Sequence, residues 1–388
     1  MSESTFLEKM LDGAEVDWKP LGEVFDVFAG GDVPKEALSK IKTEKFNIPI
    51  LSNGIGGRSL YGWTNIPKVK KPSLTISARG TIGWTSYRTE PFFPIVRLLV
   101  LTPKVEMNLR YYYHFMKTIE NDYKVAPAGI PQLTKPMIKD AQLPIPFPND
   151  PEKSLAIQAE IVRILDTFTE LTTELTTELT DRKKQYNYYR DQLLTFEEGD
   201  LEWKTLGELA KNLDSKRKPI TAGSREPGEI PYYGASGIVD YVKGFIFDGD
   251  YLLVSEDGAN LLARSTPIAF SIHGKTWVNN HAHVLEFETY AERKYIEYYL
   301  SNIDLTPYIS GAAQPKLNKK NLNSIRIPNP SIEEKKRTVA ILDKFDTLTH
   351  SISEGLPREI ELRQKQYEYY RDLLLNFPKP EPQTEIVA

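Results

Sequence analysis

The chain has 388 residues, 40% of them hydrophobic and 26% charged, which allows two or three soluble cores of about 100–200 residues each. It contains no cysteine, so disulfides and thiolate metal sites are excluded and a reducing compartment is expected. The net charge of −4 argues against a polyanion partner only when taken whole: residues 16–150 carry 18 Lys and Arg against 12 Asp and Glu, residues 201–330 carry 15 against 15, and residues 151–200 carry 6 against 11. A basic surface can therefore hide inside an acidic average. The N-terminal MSESTFLEKMLDGAEVDW lacks the basic and apolar regions of a signal peptide, and no run approaches 18 apolar residues, so a soluble, cytoplasmic protein is expected.

In chain order, residues 16–150 read as a mixed block. Short apolar runs such as FFPIVRLLVL alternate with turn residues, and LRYYYHFMKTI has the period of one short helix. The proline-rich LPIPFPNDP at 143–151 ends the block and sets the approach to a helix. Residues 153–196 then read as one long helix, because Ile157, Ile161, Ile164, Leu165, Phe168, Leu171, Leu175, Leu179, Tyr186, Tyr189 and Leu193 step mostly by three and four. At 1.5 Å per residue it spans roughly 65 Å. Within it TELTTELTTELT, at 169–180, repeats a tetrapeptide three times. Threonine is a mediocre helix former, so the Leu stripe must hold this stretch by packing.

The block 200–330 is again mixed, with strand-like DYLLVSEDG, PIAFSIH and HAHVLEF, a helix in ERKYIEYYLSNI, and the exit IRIPNPS at 325–331. A second helical stripe, Ile341, Leu342, Phe345, Leu348 and Ile352, is interrupted at Gly355 and Pro357. A loop or kink is expected there, with a new helix from about Pro357 to Phe377.

The two halves echo each other. RKKQYNYYRDQLLTF at 182–196 returns as RQKQYEYYRDLLLNF at 363–377, identical at 11 of 15 positions and 181 residues away. VDWKPLGEV at 16–24 returns as LEWKTLGEL at 201–209. A period this long is a duplicated domain, not a solenoid. FLEKMLDGAEVDW at 6–18 echoes the junction QLLTFEEGDLEW, so Phe6, Leu7 and Leu11 are expected near Leu374 and Phe377.

Catalytic signatures are missing: no phosphate-binding GxxxxGK[ST], no GxGxxG opening a helix, no GxSxG elbow and no NPPY-type motif. His281 and His283 have strand spacing for two imidazoles, but a metal needs a third ligand, and polar side chains at a strand edge are the preferred reading. Glu256 and Asp257 read as a turn rather than half a nuclease site. What remains is a set of loops rich in Gly, Ser, Asn, Arg, Lys and aromatics: GGRSLYGWTN, SARGTIGWTSYR, GASGIVDYVKG, SEDGANLLARS, HGKTWVNN and GAAQPKLNKKN. Such side chains can read base edges and phosphates.

On these features the chain resembles the specificity subunits of type I restriction–modification enzymes, in their IC-like branch. The segment 154–194 with its tetrapeptide repeat and the C-terminal SISEGLPREIELRQKQYEYYRDLLL are similar to that family's central and C-terminal regions. ISARGTIGW, WVNNHAHVL and GAAQPKLNKKNLNSIRIP resemble patterns of its target-recognition domains. The resemblance implies an α+β fold: two globular α/β-type target-recognition domains separated by two long antiparallel coiled-coil helices, with pseudo-twofold internal duplication. The expected divisions are 1–150, 151–198, 199–330, 331–380 and a tail 381–388.

It further implies a non-catalytic reader of a bipartite, asymmetric sequence in double-stranded DNA. Two modification (methyltransferase) subunits would bring S-adenosylmethionine and act on adenine; two restriction (translocase/nuclease) subunits would bring ATP and Mg2+. The expected DNA-binding residues are Arg58, Tyr61, Ser77, Arg79 and Thr81 in the first block, and Ser236, Asn260, Arg264, Lys275, Asn280 and Gln314 in the second. Helix packing or partner docking is expected of Leu171, Leu175, Leu179, Tyr186, Tyr189, Arg190, Tyr367, Tyr370 and Arg371. The TELT run is expected to act as a ruler, one added tetrapeptide lengthening the helix by about 6 Å. The alternative reading is a duplicated protein- or peptide-binding scaffold with a helical spacer, which would lack salt-dependent duplex binding.

Overall fold

The computed structural model describes residues 15–123, 125, 130–197, 199, 201–264, 266–311 and 315–377. Phe6, Leu7 and Leu11 lie outside the described residues. The chain divides into two compact units, one of Met1–Glu174 with Ile360–Ala388 and the other of Leu175–Glu359. The helix Pro151–Leu194 is unbroken over 44 residues, so each unit takes one part of it.

In the first unit, Val16–Pro20 pairs antiparallel with Gln142–Pro146. Pro20 stops the strand, and Leu21–Val24 makes one helical turn whose Leu21 N–H donates to the Ala141 carbonyl at 2.8 Å. Gly22 is needed there for approach: a Cβ would lie 3.2 Å from that of Lys139. A four-stranded antiparallel sheet follows, in spatial order Phe25–Ala29, Leu98–Pro103, Ser73–Ser77 and Thr85–Arg88. The helix Leu109–Thr118, capped by the Asn108 side chain, covers it. Their shared core holds Phe25, Ile76, Leu101, Tyr112 and Met116, and continues into Ile161 and Leu165 of the long helix and Leu374, Leu375 and Phe377 near the C-terminus. A smaller three-stranded sheet has the order Leu60–Thr64, Ile48–Leu51, Phe93–Pro94.

The second unit repeats the entry. Trp203–Thr205 pairs with Arg326–Pro328, and the Leu206 N–H donates to the Ile325 carbonyl at 2.9 Å. Gly207 lies where a Cβ would be 3.1 Å from Asn323. Its sheet differs: six strands in the order Lys211–Asn212, Ala282–Glu286, Phe247–Ser255, Ala269–Val278, Pro227–Gly234, Gly237–Val242. In the central strands Phe247–Ser255 and Ala282–Glu286 both faces are buried, and the pleat sorts them. Leu252 and Val254 join one cluster with the helix Tyr290–Asn302, while Tyr251 and Leu253 join the other.

The helical segments also match. In the first unit Phe168 stacks on Tyr370, with ring centroids 5.2 Å apart; in the second Phe345 stacks on Tyr189 at 5.6 Å. The sequence repeat makes these equivalent pairs. The TELT run is helical, with Leu171, Leu175 and Leu179 half-buried. Thr172, Thr173 and Thr180 donate their hydroxyls to the carbonyl four residues back, which satisfies them without leaving the helix. The expected interruption is present: one helix is Ile332–His350, and the next begins at Gly355, with φ +77°.

Candidate nucleic-acid interface

In the first unit the ARGTIGW loop is fixed from below. Glu120, just past the helix Leu109–Thr118, accepts from the Thr85 N–H at 2.6 Å and pairs with Lys117 at 2.6 Å. Gly83, with φ +87°, lies where a Cβ would meet the Glu120 carbonyl at 2.1 Å. Asn53 donates its side-chain amide to the Arg79 carbonyl at 2.5 Å, so two loops are tied together. This leaves Arg58 and Tyr61 exposed and Arg79 partly so.

Two expected readers are corrected. Ser77 is only 1% exposed; it ends a central strand, and its N–H donates to the Trp84 carbonyl. The Thr81 hydroxyl is buried and has no hydrogen-bond partner. The hydroxyls of both residues are therefore turned into the unit and not presented at its surface.

In the second unit Ser236 and Asn280 lie at the same end of the sheet. Tyr233 and Val278 pair in parallel register, and the turns that follow them hold the two residues, both exposed. Lys275 lies on the strand leading to Asn280, exposed, its ammonium 4.9 Å from the Phe245 ring centroid. Asn260 is tied inward, donating to the Pro267 carbonyl and accepting from Thr266.

Arg264 is the second unit's correction. Its backbone is left-handed, with φ +49°, and its guanidinium donates to the carbonyls of Ser301 and Ile303. A cation on the open carbonyls at a helix C-terminus is a cap, so Arg264, although exposed, secures the end of Tyr290–Asn302. Gln314 lies outside the described residues.

His283 is not at a sheet edge, because Ala282–Glu286 is flanked on both sides. The ring is buried, with Nδ1 2.6 Å from Asp214 and Nε2 2.6 Å from the Leu317 carbonyl. Burial acts most strongly on the Asp214 carboxyl and favours its neutral form. The His283 hydrogen bond, the Val284 N–H and Arg217 together still hold it below the usual carboxylate range. Glu256 pairs with Arg217 at 3.1 Å and Lys316 at 3.5 Å, and Asp257 opens the helix Gly258–Ala263. The acidic pair is structural. Among the described residues no group of three or more His, Asp or Glu is placed to hold a metal, and no helix is long and apolar enough to cross a membrane.

The residues expected to pack or dock divide in two. Tyr186 is buried, Tyr367 donates toward His114 at 3.0 Å, and Tyr370 and Tyr189 stack. Arg190 and Arg371 each pair with the next aspartate and lie over Tyr186 and Tyr367. Between them Tyr188 and Tyr369, equivalent in the repeat, are 62% and 64% exposed. Sequence reasoning missed these two; their signal was identity between copies at a position off the apolar stripe. It also missed Asn53, Glu120 and Asp214, which support the loops from distant parts of the chain.

Residues 15–182 and 198–362 each match the family described as the type I restriction modification DNA specificity domain. The chain is 39% identical, over 98% of its length and 99% of the relative's, to the EcoR124I/EcoR124II specificity subunit of Escherichia coli. It is 35% identical to the EcoprrI specificity subunit of the same species, over 91% of this chain and 93% of the relative. Among solved structures, the type I restriction–modification S subunit from M. genitalium has a similar fold, with TM-score 0.62, 18% identity and coverage of 95% of this chain and 98% of that one. A chain from a structure concerned with type I complex assembly has TM-score 0.57 at 14% identity, covering 93% and 97%. With both units matched and the whole length aligned, the chain belongs to the family of type I restriction–modification specificity subunits.

Proposed function

We propose that this protein is the non-catalytic, sequence-reading component of a type I restriction–modification complex, acting on cytoplasmic duplex DNA. Each unit reads one half of a bipartite, asymmetric target. The observation that carries this is the pair of DNA-specificity matches, one to each copy of the duplicated scaffold. In each copy a rigid sheet and helix present exposed polar side chains: Arg58 and Tyr61 in one, Ser236, Lys275 and Asn280 in the other. Arg suits guanine and Asn suits adenine by bidentate pairing.

The helical segments serve as the docking platform. Tyr188 and Tyr369 are equal in identity and exposure, which fits two copies of one partner, the modification subunit. Tyrosine is over-represented among residues that dominate interface energy. The modification subunits supply S-adenosylmethionine and transfer its methyl group to adenine; restriction subunits add ATP- and Mg2+-dependent translocation and cleavage. Mapping methylated adenines in host DNA with the gene present and absent tests the reading. The expected result is one split motif that disappears with the gene; an unchanged map overturns it.

A further inference from the structure

Residues 34–71 carry eight Lys and Arg against two Glu, while the rest of 16–150 holds ten basic and ten acidic residues. The whole net charge of +6 in that block therefore lies in one stretch of the first unit. The stretch surrounds the three-stranded sheet, and its geometry keeps the charge available. Tyr61 and Trp63 alternate on the strand Leu60–Thr64 and so share a face. The Lys40 ammonium lies 4.1 Å from the Tyr61 ring centroid and that of Lys42 lies 5.1 Å from Trp63. Reciprocal backbone bonds of 2.8 Å between Ser39 and Trp63 set this alignment. Lys45 lies over Phe46 at 5.6 Å, and Lys68 over Phe28 at 5.7 Å.

These lysines rest on rings instead of carboxylates. Among the described residues, the cations of 16–150 pair as Lys19–Asp17, Lys104–Asp26, Arg110–Asp166, His114–Asp166 and Lys117–Glu120, none of them within 34–71. In the second unit, where basic and acidic residues balance, Lys211, Arg217, Arg225, Lys243 and Lys316 face carboxylates and Arg264 faces carbonyls; Lys275, over the Phe245 ring, is the counterpart of the first unit's arrangement. A carboxylate cancels an ammonium's charge. An aromatic face attracts and orients the ammonium while leaving the charge and its N–H donors for another acceptor.

Resting on the DNA-reading function, we propose that this lysine–aromatic face of the first unit grips the phosphates of the duplex and supplies most of the chain's own salt-dependent affinity, the second unit contributing little. Binding is electrostatically lopsided: one unit holds the backbone, and both read bases.

The test uses the complex reconstituted with its modification subunits and a duplex carrying the target mapped by methylation. Affinity is measured against salt for wild type, for Lys40→Gln/Lys42→Gln/Lys45→Gln/Lys68→Gln, and for the charge-matched set Lys216→Gln/Lys218→Gln/Lys319→Gln/Lys320→Gln in the second unit. Each lost phosphate contact lowers the slope of log affinity against log salt by about 0.9, so the first set should lower it by about 3 to 4. Target and unrelated duplexes should weaken alike, and the four Lys→Arg replacements should restore the slope. The second set should change it by less than about 1. An unchanged slope in the first set, or an equal fall in the second, overturns the proposal. A wild-type complex that does not prefer its mapped target would instead overturn the DNA-reading function itself.

Discussion

The same acid holds the same helix in both units, but the donors have changed. Asp166 in LDTF and Asp343 in LDKF are equivalent, and each ties the sheet-covering helix of its unit to a long-helix segment. In the first unit Asp166 accepts from Arg110 Nε at 2.9 Å and His114 Nε2 at 2.8 Å. In the second Asp343 accepts from the hydroxyls of Tyr290 at 2.8 Å and Tyr298 at 2.6 Å. One latch is charged and the other is built from phenols. Burial is the largest influence on the Asp166 carboxyl and raises it, but the bonds from His114 and Arg110 win and hold it below the usual range. Burial and the Asp343 hydrogen bond both push the Tyr298 hydroxyl up. Duplication has kept the acceptor and the aromatic stack while the donors diverged. Structural duty is assigned to positions, and residue chemistry is free wherever geometry still allows a hydrogen bond.

If the scaffold is equivalent, equal truncations must cost alike. Leu165 and Leu342, the residues before the two aspartates, are each fully buried, one in each unit's core. Replacing either by Ala should cost about 2–5 kcal/mol, measured by denaturant unfolding. A large cost for one and none for the other would break the comparison.

The latches should then separate the units. Asp166→Asn leaves a guanidinium and an imidazole without their carboxylate and should cost about 1–3 kcal/mol; Asp343→Asn faces only neutral hydroxyls and should cost about 0.5–1.5 kcal/mol. The pH dependence adds a sign. The Asp166 carboxyl titrates lower folded than unfolded, so its contribution is full above its ordinary value near 4 and is lost as pH falls through the folded value. His114 is also held below its ordinary value, chiefly by burial, and likewise favours the fold at neutral pH over acid. Wild-type unfolding free energy should therefore fall as pH drops below about 4, where the Asp166 contribution is lost; a profile flat from about pH 5 to 3 would take the carboxyl out of the latch.

Much of this scaffold was legible in the sequence. Period and identity located the long helix, the YYRD repeat, the WKxLGE turn and the break at Gly355, because each is a local pattern or a copy of one. The latches were not legible, since Arg110 and His114 meet Asp166 across more than fifty residues and no period marks such a meeting. Which loop side chains are exposed was partly legible. Composition identified the loops, but whether a side chain points out was decided by remote groups. Ser77 is turned inward by strand pairing, and Arg264 is claimed by a helix end. Asn280 is exposed beside Asn279, which is buried and accepts from the His281 N–H.

Adjacent tyrosines sharpen the helix comparison. Tyr189→Ala and Tyr370→Ala each remove a stacked ring, forfeiting about 0.5–1.5 kcal/mol from the aromatic pair. Tyr188→Ala and Tyr369→Ala remove exposed rings and should change stability by no more than about 0.5 kcal/mol. The second pair should instead weaken capture of modification subunits by about 2 kcal/mol or more, seen by titration calorimetry. All four should leave the methylated sequence unchanged; a new motif from any of them would move the reading surface onto the helices.

The smallest folding effects belong to the loop tips, and there the units should differ most in consequence. Arg58 lies in a short turn, exposed and without an acidic partner among the described residues; Asn280 lies exposed between two strands of the other unit. Neither side chain supports a core, so Arg58→Ala and Asn280→Ala should each keep stability within about 0.5 kcal/mol. A bidentate base contact is worth about 1–3 kcal/mol of discrimination, so losing one should relax a single base position. Because each residue belongs to its own unit, Arg58→Ala should relax one half-site and Asn280→Ala the other, with the opposite half read as before. Methylation maps of the two variants separate the outcomes. Relaxation of the same half-site by both would mean that the units do not divide the target. Uniform weakening without relaxation would make these side chains phosphate contacts, and base reading would have to come from neighbouring loop residues.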